Sequence, residues 1–127
     1  MDELIQDIGN LILKSEDLAE SNWDFTSIVF DVSEGNIANS GFKYQDKRVS
    51  PIIADIEENP LAIDNKVYAF QAAVENKFGH KFKQLLIQIE KETGKIKIDF
   101  EFDNANRWTI VPSRLKEMRE ELRPKFD

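Results

Sequence analysis

Residues Ile96 to Asp103 alternate without a break: Ile96, Ile98, Phe100 and Phe102 are apolar, while Lys97, Asp99, Glu101 and Asp103 are charged. Side chains along a strand point to opposite faces in turn, so this period of two fits a half-buried strand and not a helix. The preceding run, Lys83 to Glu90, is also strand-like and is separated from it by Glu92-Thr-Gly94, which is turn chemistry. Together they predict a hairpin with one oily and one acidic face.

The rest of the chain punctuates into similar units. Leu4, Ile5, Ile8, Leu11 and Ile12 form the stripe of an amphipathic helix over 3–18, with Asp2 available as N-cap. Phe25 to Val32 is β-branched and aromatic, and a turn over 33–36 leads into Ile37 to Tyr44, giving a first hairpin. In its second strand Ala38, Ser40, Phe42 and Tyr44 share one face, and Asn39, Gly41 and Lys43 the other, which predicts one solvated side. Residues 45–63 are broken by Pro51 and Pro60 and read as a connection with room for a short helix or an edge strand. Val67, Phe70, Val74 and Phe78 then define a helix over 64–78 that Gly79 can stop. A last helix starts at Pro112-Ser113, carries Leu115, Met118 and Leu122, and ends before Pro124. The expected architecture is a single α+β domain over 1–127 in the order α-β-β-α-β-β-α. Its antiparallel sheet would be built from two hairpins, with helices packed on one face.

With 127 residues, 41% of them hydrophobic, the chain is long enough to bury one core without disulfides, and it contains no cysteine. Thiol catalysis and thiolate metal sites are thereby excluded. The N-terminal residues are acidic and lack the basic start and apolar run of a secretory signal, so cytoplasmic localisation is expected, with no membrane contact.

Charge is unevenly placed. Residues 1–60 hold 13 acidic and 4 basic side chains, a balance of −9, whereas 61–127 hold 11 acidic and 13 basic, or +2. The overall −7 has the wrong sign for neutralising nucleic-acid phosphates, so no direct nucleic-acid binding is expected. A negative field of this kind steers basic partners toward the surface, although the same charge also serves solubility.

Candidate chemistry is sparse. His80 is the single histidine and follows Gly79; with no nucleophile motif for it to activate, it reads as a polar turn residue and not as a general base. Asp99, Glu101 and Asp103 share one strand face, but the spacing of a calcium loop is absent. Lys77, Lys81 and Lys83 cluster near a helix end, where they complement its dipole. Trp23 and Trp108 each suit the edge of a core better than a binding hot spot. No catalytic set, cofactor motif or metal-ligand spacing selects an enzyme, and an enzyme built on a carboxylate cluster would need a deep pocket with perturbed acids.

The helix bearing Val67 and Phe70, the Thr93-Gly94-Lys95 turn, the strand from Ile96 to Asp103 and Trp108 beyond it resemble the YezG-like immunity proteins. Similar immunity partners stand beside toxins of contact-dependent growth inhibition systems. The family's signature is a hairpin glycine followed by a strand reading approximately Phe-x-Ile-x-Phe/Tyr-x-Tyr-Asp. Gly94, Ile98, Phe100, Phe102 and Asp103 match it; Ile96 stands where an aromatic is common and Phe102 where tyrosine is usual. The resemblance implies a cytoplasmic monomer that forms a 1:1 complex with a cognate basic toxin domain, commonly a nuclease, and blocks it. Carboxylates would take the place of substrate phosphates, with Asp31, Glu57, Glu58, Asp99, Glu101 and Asp103 as expected contact residues. A generic adaptor module of the same fold is the alternative.

Overall fold

The computed structural model describes residues 2–33 and 35–126. Glu34, within the expected turn over 33–36, therefore lies outside the described residues. Helix α1 (Asp2–Leu13) is followed by a short helix, α2 (Glu16–Ala19), then strands β1 (Phe25–Asp31), β2 (Ala38–Gln45) and β3 (Arg48–Ile52). Helix α3 (Ala62–Phe78) leads to the hairpin of β4 (Gln84–Glu90) and β5 (Ile96–Glu101), and a 3-10 turn at Pro112–Arg114 opens α4 (Leu115–Glu121). All strand pairs are antiparallel, in the order β3-β2-β1-β4-β5. The fold is α+β, as expected.

Several details depart from the expected layout. The first helix is split, because Lys14 and Ser15 donate to the carbonyls of Leu11 and Ile12 in tightened final turns, and Ser15 is buried as the N-cap residue of α2. Asp2 is the first helical residue, not the cap. The connection over 45–63 contains the edge strand β3, so the first hairpin is a three-stranded meander. Asp46, with φ of 53°, makes the β2–β3 turn, a left-handed position that aspartate tolerates.

Helices also cover both faces of the sheet, which corrects the one-face expectation. On one side α1, α2 and α3 pack Ile8, Ile12, Leu18, Val67, Phe70 and Val74 against Ile28, Phe30, Leu85, Ile87 and Ile89. On the other, Met118 and Leu122, with Trp108, cover Val29, Phe42, Tyr44 and Leu86. Thr26, Ser27, Ile28, Val29 and Phe30 of β1 are consequently all buried, the continuous burial of a doubly covered strand, here including two hydroxyls. The expected solvated side of β2 is partly occupied: Asn39 exchanges hydrogen bonds with Ala54 N–H (2.8 Å) and Ala54 C=O (2.9 Å), and the Lys43 amine donates to Asp17 C=O of α2 at 3.3 Å.

The alternating run behaves as its sequence demands. Ile96, Ile98 and Phe100 of β5, and Phe102 just after it, pack against the α1/α3 core, and Lys97 and Asp99 point to the opposite, exposed side. Gly94 takes φ of 73° in the β4–β5 turn, and Gly79 ends α3 with φ of 83°, its N–H donating to Glu75 C=O.

Gly41 illustrates how tightly the sheet centre is built. A Cβ there would run into the Ser27 carbonyl and approach Ile28 Cα at 2.9 Å, both backbone atoms of the central strand. At Gly9 of α1 a Cβ would meet only the tip of Ile96, which can rotate away. Gly41→Ala should therefore destabilise the fold by about 1–3 kcal/mol, in the range of overpacked cores, and Gly9→Ala by clearly less. Urea unfolding monitored by tryptophan fluorescence checks this; equal losses would show that the β1–β2 contact is not the tighter one.

Candidate functional site

The six expected contact residues fall into two groups. In register, Gln84 of β4 lies between Asp31 of β1 and Glu101 of β5, so these three form one row across the sheet. Neighbouring strands lie about 4.8 Å apart, which separates the Asp31 and Glu101 backbones by roughly 10 Å. Asp99 lies two residues back along β5 on the same face, and Asp103 follows just beyond the strand. Glu57 and Glu58 lie instead in the connection from β3 to α3, beside α2 and on the α1/α3 side. Between β3 and β5 there are four strand spacings, about 19 Å. The six carboxylates thus do not form one surface.

The β5 group is largely engaged in its own loop. Asp31 Oδ1 accepts from Ser33 N–H (3.0 Å) and Ser33 Oγ–H (2.7 Å), closing a local Asx turn. Glu101 Oε2 accepts from the backbone N–H groups of Asp103 (2.9 Å) and Asn104 (3.0 Å), and Oε1 accepts from Arg107 at 3.0 Å. Those backbone donors, Asn104 first, followed by Arg107, hold the Glu101 carboxyl below its usual range. Arg107 also reaches Asp99 at 4.0 Å and lies over the Trp108 ring at 4.7 Å. Trp108 is buried, and its backbone N–H donates to Oε1 of the buried Gln84 at 2.8 Å. The loop after β5 is therefore fastened to the sheet by Glu101, Arg107 and Gln84. Glu101 and Asp31 act as turn-formers; Asp99 and Asp103 present their carboxylates outward.

The second group is different. Glu57 and Glu58 share a surface with Glu16 of α2 and with Asp55, whose carbonyl accepts from Glu16 N–H at 3.3 Å. Glu16 binds its proton more tightly than an ordinary glutamate. The main cause is a hydrogen bond to Glu57, which only a protonated carboxyl can donate, followed by the negative charge of Glu57, partial desolvation, and the charges of Asp55 and Glu58. Asp64, in the first turn of α3, is raised by burial and then by Asp55. Among the described residues the ion pairs are Lys66–Asp7, Arg107 with Asp99 and Glu101, Arg114–Glu117 and Arg123–Glu120. None reaches Glu16, Asp55, Glu57, Glu58 or Asp64. Among the described residues, this acidic surface has no ion-paired cation.

Sequence reasoning named Glu57 and Glu58 as candidate contacts but not their neighbours Glu16, Asp55 and Asp64. Asp55 is a near neighbour in sequence, whereas Glu16 joins them because the segment after β3 folds back onto α2, where Asp17 Oδ2 accepts from Ile53 N–H at 3.0 Å. The remaining candidates have structural surroundings. His80 is exposed and edge-on to Phe102 at 6.3 Å. Trp23 is buried and donates from Nε1 to Leu18 C=O at 3.1 Å. The Lys77 amine lies over the Phe78 ring, and the Lys83 amine donates to Asp103 C=O at 3.0 Å. A surface depression of about 430 Å³ is lined by Trp23, Asp24, Phe25, Glu90, Lys91 and Glu92, which pair no nucleophile with a base. Among the described residues no cluster of His, Cys, Asp or Glu is arranged to hold a metal ion, and no helix is long and apolar enough to cross a membrane.

Glu16 and Glu101 should respond to pH with opposite signs. A carboxyl whose folded pKa is raised penalises the fold above that pKa, and the penalty disappears below the unfolded value; one whose folded pKa is lowered stabilises above the unfolded value and loses this as pH falls through the folded one. At neutral pH, Glu16→Gln should therefore raise Tm and Glu101→Gln should lower it. Both differences should shrink toward strongly acidic pH, as thermal melts across a pH series will show. A Tm for Glu16→Gln at or below the parent's at neutral pH would remove the like-charge account of this surface. Searched against models of known protein families and against curated proteins, the chain matches none.

Proposed function

We propose that this chain is an immunity protein that binds and neutralises a cognate basic toxin domain, a nuclease, through its acidic surface in the cytoplasm. The observation that carries the reading is the group of Glu16, Asp55, Glu57 and Glu58, gathered on one surface where, among the described residues, no cation is paired to any of them. Like charges held together this way destabilise the free protein, and a cationic partner relieves the repulsion on binding. A nuclease active site offers such cations, since it must hold phosphates. Carboxylates presented from a connection between two fixed elements, β3 and α3, can occupy those phosphate positions and keep substrate out.

Rate matters as much as affinity for such a protein, because a toxin must be intercepted before it turns over. The field of the N-terminal half, −9 over residues 1–60, accelerates encounter with a basic surface and weakens with salt. Asp99 and Asp103 extend the negative surface at the other end of the sheet, while Asp31 and Glu101 are occupied in turns. One toxin domain per chain is the expected stoichiometry. An adaptor for some other basic protein would use the same electrostatics, and the two readings part on whether the partner is toxic.

The test is to identify a toxin domain encoded next to this chain's gene, co-express the two, and purify the complex. Protection of growth and a salt-sensitive complex are expected. The double variant Glu57→Lys/Glu58→Lys should lower the association rate by about ten-fold or more at low salt. The absence of any adjacent toxin gene, or failure to protect cells from the toxin such a gene encodes, would overturn the immunity reading. Protection that survives the double reversal with unchanged association would move the interface elsewhere.

A further inference from the structure

Strand β5 is an open edge of the sheet, and it differs from the other edge. At β3, Pro51 interrupts the row of main-chain donors, a common way of blunting an edge. Strand β5 has neither proline nor bulge, and its register with β4 is regular from Ile96 to Glu101. The Glu90 N–H donates to Lys95 C=O at 3.0 Å, which fixes the alternation. Lys97, Asp99 and Glu101 turn their main-chain groups toward β4, and Ile96, Ile98 and Phe100 turn theirs outward. The side chains show the same opening. Leu85, Ile87 and Ile89 of β4 are no more than 1% exposed, whereas their cross-strand partners Phe100, Ile98 and Ile96 are only partly buried.

We infer that β5 pairs antiparallel with β5 of a second copy of this chain, about a two-fold axis at Ile98, joining two sheets into one. The strand is complementary to itself in this register alone. Centring on Ile98 sets Lys97 opposite the second copy's Asp99, Lys95 opposite its Glu101, and Ile96 opposite its Phe100. Each of these pairs occurs twice by symmetry, the signature of an isologous contact. Apolar pairs fall on the helix-covered face and charged pairs on the other. Main-chain bonding falls on Ile96, Ile98 and Phe100, the residues whose groups point outward. Lys97 and Asp99 then occupy non-hydrogen-bonded positions, where facing side chains lie closest.

Other registers fail on the same physics. Centring on Lys97 or on Asp99 places like charges directly opposite on the axis. Shifting by a single position sets outward-bonding residues against inward-bonding ones and apolar side chains against charged ones. A lysine on an edge strand ordinarily deters pairing; here the residue that meets it is a carboxylate. The contact is small, so a dissociation constant on the order of micromolar or weaker is expected. This inference goes beyond the neutralisation reading and does not rest on it: Glu57 and Glu58 lie away from β5 and stay free in the dimer.

Sedimentation velocity of the full chain over a wide concentration range should show a reversible dimer. Lys97→Glu and Asp99→Lys, each alone, should weaken self-association by at least about ten-fold, since each makes the facing pairs like-charged. An equimolar mixture of the two variants should recover it, because an acidic strand then faces a basic one. Amide exchange in the unsubstituted chain reads the register independently of any variant: Ile96, Ile98 and Phe100 should slow as concentration rises. A chain that stays monomeric at every concentration, or a dimer in which those amides do not slow, overturns the proposal, as do single variants that self-associate like the parent.

Discussion

Everything in this fold depends on β1 being covered on both faces. A strand in that position must satisfy its polar side chains internally, because an unpartnered buried hydroxyl is costly. Thr26 Oγ–H donates to Phe42 C=O at 2.8 Å, and Ser27 Oγ–H donates to Leu122 C=O at 2.6 Å. Gln88 of β4 donates from Nε2 to the same Leu122 carbonyl at 3.2 Å and to Ser27 Oγ at 3.1 Å. The bonds from Ser27 and Gln88 reach across the α4 face and satisfy the C-terminal end of that helix. Tyr44 OH adds a donor to Arg119 C=O at 2.8 Å, and burial holds its phenol well above the usual range. A seven-residue helix would be marginal alone; here its carbonyls and its Met118 and Leu122 are fixed by the sheet.

That arrangement explains which parts of the fold were legible in the sequence. The strand from Ile96 was legible because each of its faces has one character, apolar or charged, and period-two alternation reports such a strand directly. The run Thr26-Ser-Ile-Val-Phe30 was legible as a strand, but its double coverage was not: Ser27 looks like a solvent-facing residue until Leu122 is placed above it. The helix on the second face could not be assigned a side, because Met118 and Leu122 suit either surface of a sheet. Strand β3 was obscured by Pro51, a residue that argues against an interior strand while permitting an edge.

The carboxylates divide by the same logic. A sequence presents Asp31, Glu57, Glu101 and Asp103 as equivalent acids, and local geometry makes them different. Asp31 and Glu101 sit where the chain turns and needs acceptors, so nearby N–H groups engage them and their charge is committed. Glu57 sits in a connection whose neighbours in space, Glu16 and Asp55, come from segments about forty residues apart in one case and two in the other. No local pattern could have placed Glu16 there. The charge imbalance of residues 1–60 was the one signal available, and it reported the sign of the surface without its location.

A protein that keeps an acidic surface unneutralised accepts a permanent internal repulsion, and this constrains where that surface can lie. Placed on a central strand, the repulsion would act on the pairing of β1 with β2 and β4. Here it falls on α2 and on the connection between β3 and α3, which are held by bonds made elsewhere. Asn39 fixes Ala54 at both its N–H and its C=O, and Asp17 anchors Ile53. Those contacts fasten the segment immediately before Asp55, so the repelling carboxylates are carried by a backbone they do not support. Under the proposed function, a partner's cations would neutralise them without rearranging the sheet. By the same separation, pairing at the β5 edge would leave this acidic surface unchanged, because four strand spacings and the α1/α3 core stand between them.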